Sequence, residues 1–181
     1  LIHKAKETGL KIVVSIFVNK LQFNDEQDFI NYPRDIESDI KILNDLEVDF
    51  AFIPDEETIY PKSGFKNLYA GNIGRKYEGF SRPGHFDGVL TVVNRLFQLI
   101  SPHTVIFGSK DIQQLFLIKK LILDQKYDIR IIEENTKRSK TGLALSSRNK
   151  LLTKEGVKKA ENIFKALLFI QNELNKSSDL I

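Results

Sequence analysis

Four short apolar runs alternate with segments whose apolar residues recur at helical spacing, and this alternation limits the chain more than any other feature. Lys11 to Val18 (KIVVSIFV) is nearly continuous and β-branched, the pattern of a strand covered on both faces of a parallel sheet. Val48 to Ile53, His103 to Phe107 and Tyr127 to Glu133 are the other runs. Between them, Ile36, Ile40, Leu43 and Leu46 mark one helix face; so do Val89, Val92, Val93, Leu96, Phe97 and Ile100, and then Leu115, Leu117, Ile118, Leu121 and Ile122. Such a chain is expected to be α/β, a doubly wound parallel sheet built from right-handed βαβ units. A short helix is expected around 72–78, then a Gly- and Pro-rich loop to Gly88. After a polar loop, Thr153 is expected to cap a last helix with Val157, Ala160, Phe164, Leu167, Ile170 and Leu174 as its apolar stripe.

In open α/β sheets ligands bind beyond the carboxyl ends of the strands. The polar residues at those ends are therefore the candidates. Gly108 to Gln114 reads as a strand end, a glycine turn and a helix start. The free N–H groups and the positive dipole end there attract an anion, and Lys110 adds a full charge. The competing reading is an ordinary N-cap, with Ser109 capping and Asp111 in the first turn. Asn19 and Gln22 follow the first strand, where neutral amides suit the hydroxyl and carboxylate groups of a small polar substrate; plain turn chemistry explains the asparagine equally well. Arg82 suits a phosphate or carboxylate. His85 is a candidate acid or base, or merely a hydrogen bonder at a helix start. Ser146, Ser147 and Arg148 suit triphosphate oxygens, or are cap and turn residues beside a surface arginine. With no histidine nearby in sequence, a nucleophilic serine is not expected.

Composition sets the outer limits. The 181 residues suffice for one core of normal size, or for one domain and the beginning of a second. A net charge of +3 suits an anionic small molecule, and no basic run is dense enough to point to nucleic acid. There is no cysteine, hence no disulfide and no thiolate metal site. Three scattered histidines give no zinc pattern, so no dedicated zinc site is expected and no residue is assigned to a metal. No apolar run approaches the roughly 20 residues of a membrane span. The chain has no methionine and opens on what reads as the tail of a helix, from which a truncated N-terminus is expected.

Six collinear motifs go further: SIFVN..QF at Ser15 to Phe23, YPR at Tyr32 to Arg34, IYP at Ile59 to Pro61, EG.SRPGHF.GV at Glu78 to Val89, FG.KD.QQ at Phe107 to Gln114, and GLALSSRN at Gly142 to Asn149. Together they resemble the pantothenate synthetases (pantoate–β-alanine ligases) of the nucleotidyltransferase superfamily. The resemblance implies a Rossmann-like ATP- and pantoate-binding domain over 1–149 and the start of a C-terminal lid domain over 150–181. It also implies a cytoplasmic homodimer that uses ATP and Mg2+ to join pantoate to β-alanine through a pantoyl adenylate. By position, Gly108, Ser109, Lys110, Asp111, Lys137, Leu145, Ser146, Ser147 and Arg148 would meet ATP, with Lys110, Ser146, Ser147 and Arg148 acting on the phosphates in catalysis. Gln22, Gln114 and Asn19 would form the pantoate pocket, with Gln22 also near β-alanine. Glu78, Arg82 and His85 match a segment beside the active site.

Three departures stand out: Lys20 replaces the family's usual proline, Ser109 its glutamate, and Lys137 an apolar nucleotide contact. The family's opening strand and histidine-glycine-histidine helix have no counterpart here, nor does most of its lid, so this chain alone is expected not to make pantothenate. Another carboxylate-activating member of the superfamily would differ in whether ATP/pyrophosphate exchange needs pantoate. A noncatalytic α/β nucleotide-binding module would bind without forming adenylate.

Overall fold

The computed structural model describes residues 1–178, which divide into two compact units, one up to Glu134 and one from Asn135 onward. The domain change expected at 149/150 falls inside the second unit.

The first unit runs α1 (Ile2–Lys6), β1 (Val13–Ser15), α2 (Glu26–Ile30), α3 (Ile36–Asp45), β2 (Phe50–Phe52), α4 (Glu56–Ile59), α5 (Glu78–Ser81), α6 (His85–Ile100), β3 (Thr104–Gly108), α7 (Ile112–Asp124) and β4 (Arg130–Glu134). Single 3-10 turns sit at Lys20–Gln22, Ile73–Arg75 and Ser109–Asp111. Both strand pairs are parallel, with Val13 opposite Phe50 and Thr104 opposite Arg130. The α/β class with parallel strands is therefore as expected. Among the described residues, however, the strands form two separate ladders, β1 with β2 and β3 with β4, rather than one four-stranded sheet.

The first strand also corrects the expectation of burial on both faces: Val13 is 41% exposed and Phe50, opposite it, 58%. Successive side chains point to opposite faces of a sheet, and the face that carries Val13 and Ser15 is left uncovered. For α3 the periodicity holds but burial does not, since only Leu43 is buried and Ile36 and Ile40 are exposed. The helix expected at 72–78 is instead a 3-10 turn followed by the one-turn α5.

The core lies around α6 and α7, whose apolar stripes fall where the spacing puts them. Val89, Val92, Val93 and Phe97 on α6, and Leu115, Leu117, Ile118, Leu121 and Ile122 on α7, are all buried. Each contributes about 1.5–3 kcal/mol by leaving water. Val105, Phe107 and Ile131 from the β3·β4 pair and Phe17, Phe52 and Tyr60 beside the β1·β2 pair pack on this cluster, so both ladders face one core. The turn after β1 is held on α6 through Asn19, which donates to the Gly88 carbonyl.

The second unit is a polar loop, a 3-10 turn at Ser147–Leu151 and α8 (Lys154–Ser178). The Thr153 Oγ1 accepts from the Gly156 N–H at 3.0 Å, capping α8 as expected. Along its stripe Val157, Ala160 and Phe164 are half-buried, while Leu167, Ile170 and Leu174 are exposed.

Candidate active site

In the first unit three of the sequence motifs join through hydrogen bonds. Asn19 ends the β1 run and is only 2% exposed. Its Oδ1 accepts from the Leu21 N–H at 3.1 Å and from the Tyr60 hydroxyl at 2.7 Å; its Nδ2 donates to the Gly88 carbonyl at 3.0 Å and to Gln22 Oε1 at 3.3 Å. Every polar atom of this amide is thus occupied, as burial demands. Burial also pushes the Tyr60 hydroxyl well above the ordinary phenol range, which keeps it a donor to Asn19. Gly88 lets the turn sit directly on α6: a Cβ there would lie 2.3 Å from the Leu21 carbonyl oxygen.

The Gln22 carbonyl is the second junction. It accepts from His85 Nδ1 at 2.7 Å and from the Arg82 guanidinium at 3.2 Å. Arginine only donates, so its 3.4 Å contact with His85 Nε2 leaves that nitrogen as acceptor and Nδ1 as the proton-bearing atom. His85 is therefore neutral. Its pKa is held below the ordinary value, chiefly by burial; the bond to Gln22 opposes this, Arg82 reinforces it, and Glu78 and Asp111 pull weakly upward. Of the two readings of His85, the hydrogen bonder at a helix start describes the observed geometry. Arg82 also reaches Glu78 at 3.5 Å.

The glycine turn differs from expectation. Gly108 does not turn but continues β3 with extended backbone (φ −82°, ψ 141°); Ser109–Asp111 then forms a 3-10 turn and α7 proper begins at Ile112. Ser109 does not cap: neither helix start carries a side-chain cap, because the chain is still turning at Ser109 when the cap would be needed. Lys110 is exposed and pairs with Asp111 at 3.4 Å. Gln114 is half-buried and its amide has no hydrogen-bond partner among the described residues. Its neighbour Gln113, unassigned from the sequence, bonds to the Ile73 and Lys76 carbonyls and to the N–H of Glu78, the first residue of α5. The doubled Gln113-Gln114 was the only signal for it. Tyr60 was likewise visible only inside the Ile59 to Pro61 motif.

The remaining candidates lie in the second unit. The Leu145 N–H donates to the Lys137 carbonyl at 2.9 Å and Arg138 bridges Ala144, so the polar loop is a short antiparallel hairpin. It is pinned to α8 by Arg138, stacked 4.3 Å from the Phe164 ring centre and bonded to the Gly142 carbonyl. Gly142, at φ +91°, leaves room for that ring: a Cβ would stand 2.1 Å from it. Ser146 caps the following turn, its Oγ accepting from the Arg148 N–H at 3.3 Å. Lys137, Leu145, Ser147 and Arg148 are exposed.

The family model described as pantoate-beta-alanine ligase matches residues 1–180. The chain belongs to the pantoate–beta-alanine ligase family. The pantoate–beta-alanine ligase of Schizosaccharomyces pombe is 43% identical over 99% of the chain, and the pantothenate synthetase of Carboxydothermus hydrogenoformans 45% identical over 92%. The chain spans 65% and 59% of their respective lengths. Among solved structures, the Francisella tularensis ligase complexed with beta-gamma ATP and beta-alanine superposes with a TM-score of 0.87 at 44% identity, over 91% of this chain and 64% of that one. Pantothenate synthetase from Thermus thermophilus gives 0.92 at 38%, over 98% and 64%.

Proposed function

We propose that these residues form the ATP- and pantoate-binding part of an enzyme that condenses pantoate with β-alanine. The observation that carries this reading is the family match across nearly the whole chain, which includes all six motifs. A pantoate carboxylate oxygen attacks the α-phosphorus of ATP and pyrophosphate departs, leaving pantoyl adenylate. The β-alanine amine then attacks the adenylate carbonyl, loses a proton and expels AMP.

Negative charge builds on the α-phosphate oxygens in the first step, so fixed donors aimed there lower the barrier, and holding two anions together supplies much of the rest. In our reading Lys110 and the uncapped N–H groups of Ser109–Asp111 meet the phosphates, as do Ser146, Ser147 and Arg148 of the second unit. Lys137 and Leu145 flank the nucleotide. Gln22 and Gln114 hold pantoate, Gln22 also faces β-alanine, and Asn19 orients Gln22. Glu78, Arg82 and His85 fix the Gln22 backbone and, in this reading, do not transfer protons.

Among the described residues no cluster of three acidic or histidine side chains exists. This donor set fits Mg2+ that arrives on the triphosphate, since magnesium is usually held by phosphates with one or two carboxylates; Asp111 is the carboxylate in the Lys110 turn. When bound, the ion would neutralise phosphate charge. We further propose a cytoplasmic homodimer with residues 150–181 opening a lid domain. No helix among the described residues is long and apolar enough to cross a membrane.

Titration calorimetry of the 181-residue chain tests the reading. Binding of both ATP and pantoate is expected, and failure to bind either would contradict it.

A further inference from the structure

One side chain joins the two glutamines assigned to pantoate without belonging to either. Gln113 lies in the first turn of α7 beside Gln114. Its Nε2 donates to the carbonyls of Ile73 at 2.9 Å and Lys76 at 2.8 Å, and its Oε1 accepts from the Glu78 N–H at 3.1 Å. The partners fix the orientation of the amide, because the two carbonyls can only accept and the N–H can only donate. The pattern also selects the residue: a carboxylate would set an oxygen against two carbonyls, and a lysine would offer nothing to the Glu78 N–H.

The segment it grips is under tension. Tyr77 stands at φ +51°, ψ −120°, a conformation unfavourable for a side chain, and at 83% exposure gains no packing in return. Just beyond it Glu78 pairs with Arg82, which with His85 holds the Gln22 carbonyl. A continuous line of hydrogen bonds and one short helix therefore runs from the start of α7 to Gln22.

We propose that Gln113 is a positioning residue for the pantoate site, holding the Ile73–Glu78 segment in its strained form and so setting the distance between Gln22 and Gln114. The proposal rests on the assignment of those two glutamines to pantoate. Three neutral hydrogen bonds are at stake, so Gln113→Ala weakens pantoate binding about tenfold, while ATP affinity stays within about twofold. Tyr77→Gly relieves the strain; by itself it leaves pantoate affinity within about twofold, and added to Gln113→Ala it restores most of the loss.

The experiment is calorimetric titration of pantoate and of ATP into the unmodified chain and the three variants. Equal pantoate affinity in Gln113→Ala, an equal loss of both ligands, or no recovery with Tyr77→Gly overturns the proposal. An unmodified chain that does not bind pantoate overturns the functional reading itself, and the proposal with it. If Gln113→Ala does not fold, the unmodified chain answers: hydrogen exchange at the Glu78 amide slows about tenfold when pantoate saturates it, and unchanged exchange overturns the proposal.

Discussion

The turn at Gly108–Gln114 and the loop at Lys137–Arg148 have similar sequences, each with glycine, serine and a cation beside a helix start, yet they spend their donors differently. In the first, no side chain caps the helix start, and the Gln114 amide has no partner within the described residues. In the second, Ser146 already caps the Arg148 N–H, and the hairpin is fastened by Arg138 and by the space that Gly142 leaves for Phe164. A turn whose donors are spent on the protein presents mainly side chains to a ligand. One that withholds a cap presents its backbone.

The largest expected effect falls on the second region. Gly142→Ala places a methyl group against Phe164 at a positive φ, and steric overlap with backbone strain together cost about 2–4 kcal/mol. Hydrogen exchange at the Leu143 and Leu145 amides reads the loss, and unchanged protection would remove the claim that Gly142 fastens the hairpin. In the first region, Lys110→Ala is expected to weaken ATP binding by roughly ten- to a hundredfold, the range of a charge-assisted hydrogen bond, while stability changes little because its ion pair with Asp111 is exposed. A drop in melting temperature with intact ATP affinity would reverse the assignment.

Capping separates the two serines. Ser146→Ala is expected to cost about 1 kcal/mol and Ser109→Ala less than about 0.5 kcal/mol, because only Ser146 satisfies a helix-start donor. Equal costs in thermal unfolding would erase that contrast.

The smallest effect concerns pH. His85 is neutral in the folded chain with its pKa depressed, chiefly by burial, whereas the unfolded chain takes up the proton near the ordinary value of about 6.5. Its contribution is therefore fully present above about pH 6.5 and is lost as pH falls toward the lower folded value. Denaturant unfolding of the unmodified chain should fall more steeply between about pH 7 and 5 than that of His85→Asn, which keeps a donor for the Gln22 carbonyl. Parallel curves would show that His85 does not titrate as described.

How much of this the sequence could reveal depended on where each interaction is made. The stripes on α6 and α7 were legible because a buried helix face follows from spacing alone, and the same spacing on α3 misled because burial needs a partner that periodicity cannot supply. Asn19 and His85 were visible as polar residues at strand and helix ends. That their atoms are all taken up by Tyr60, Gly88, Arg82 and Gln22 was not, since those partners lie up to 69 residues away in sequence. Ser109 failed as a cap for a local reason: the 3-10 turn delays α7 by three residues, a shift that the sequence does not mark.

Titration of ATP into the isotope-labelled chain, with the backbone amides followed by NMR, would test most directly whether the withheld cap at α7 serves the nucleotide. The amides of Ser109, Lys110 and Asp111 should shift at low ATP concentration, and more than the Arg148 amide that Ser146 already occupies. Shifts at Arg148 with none at Ser109–Asp111 would contradict it.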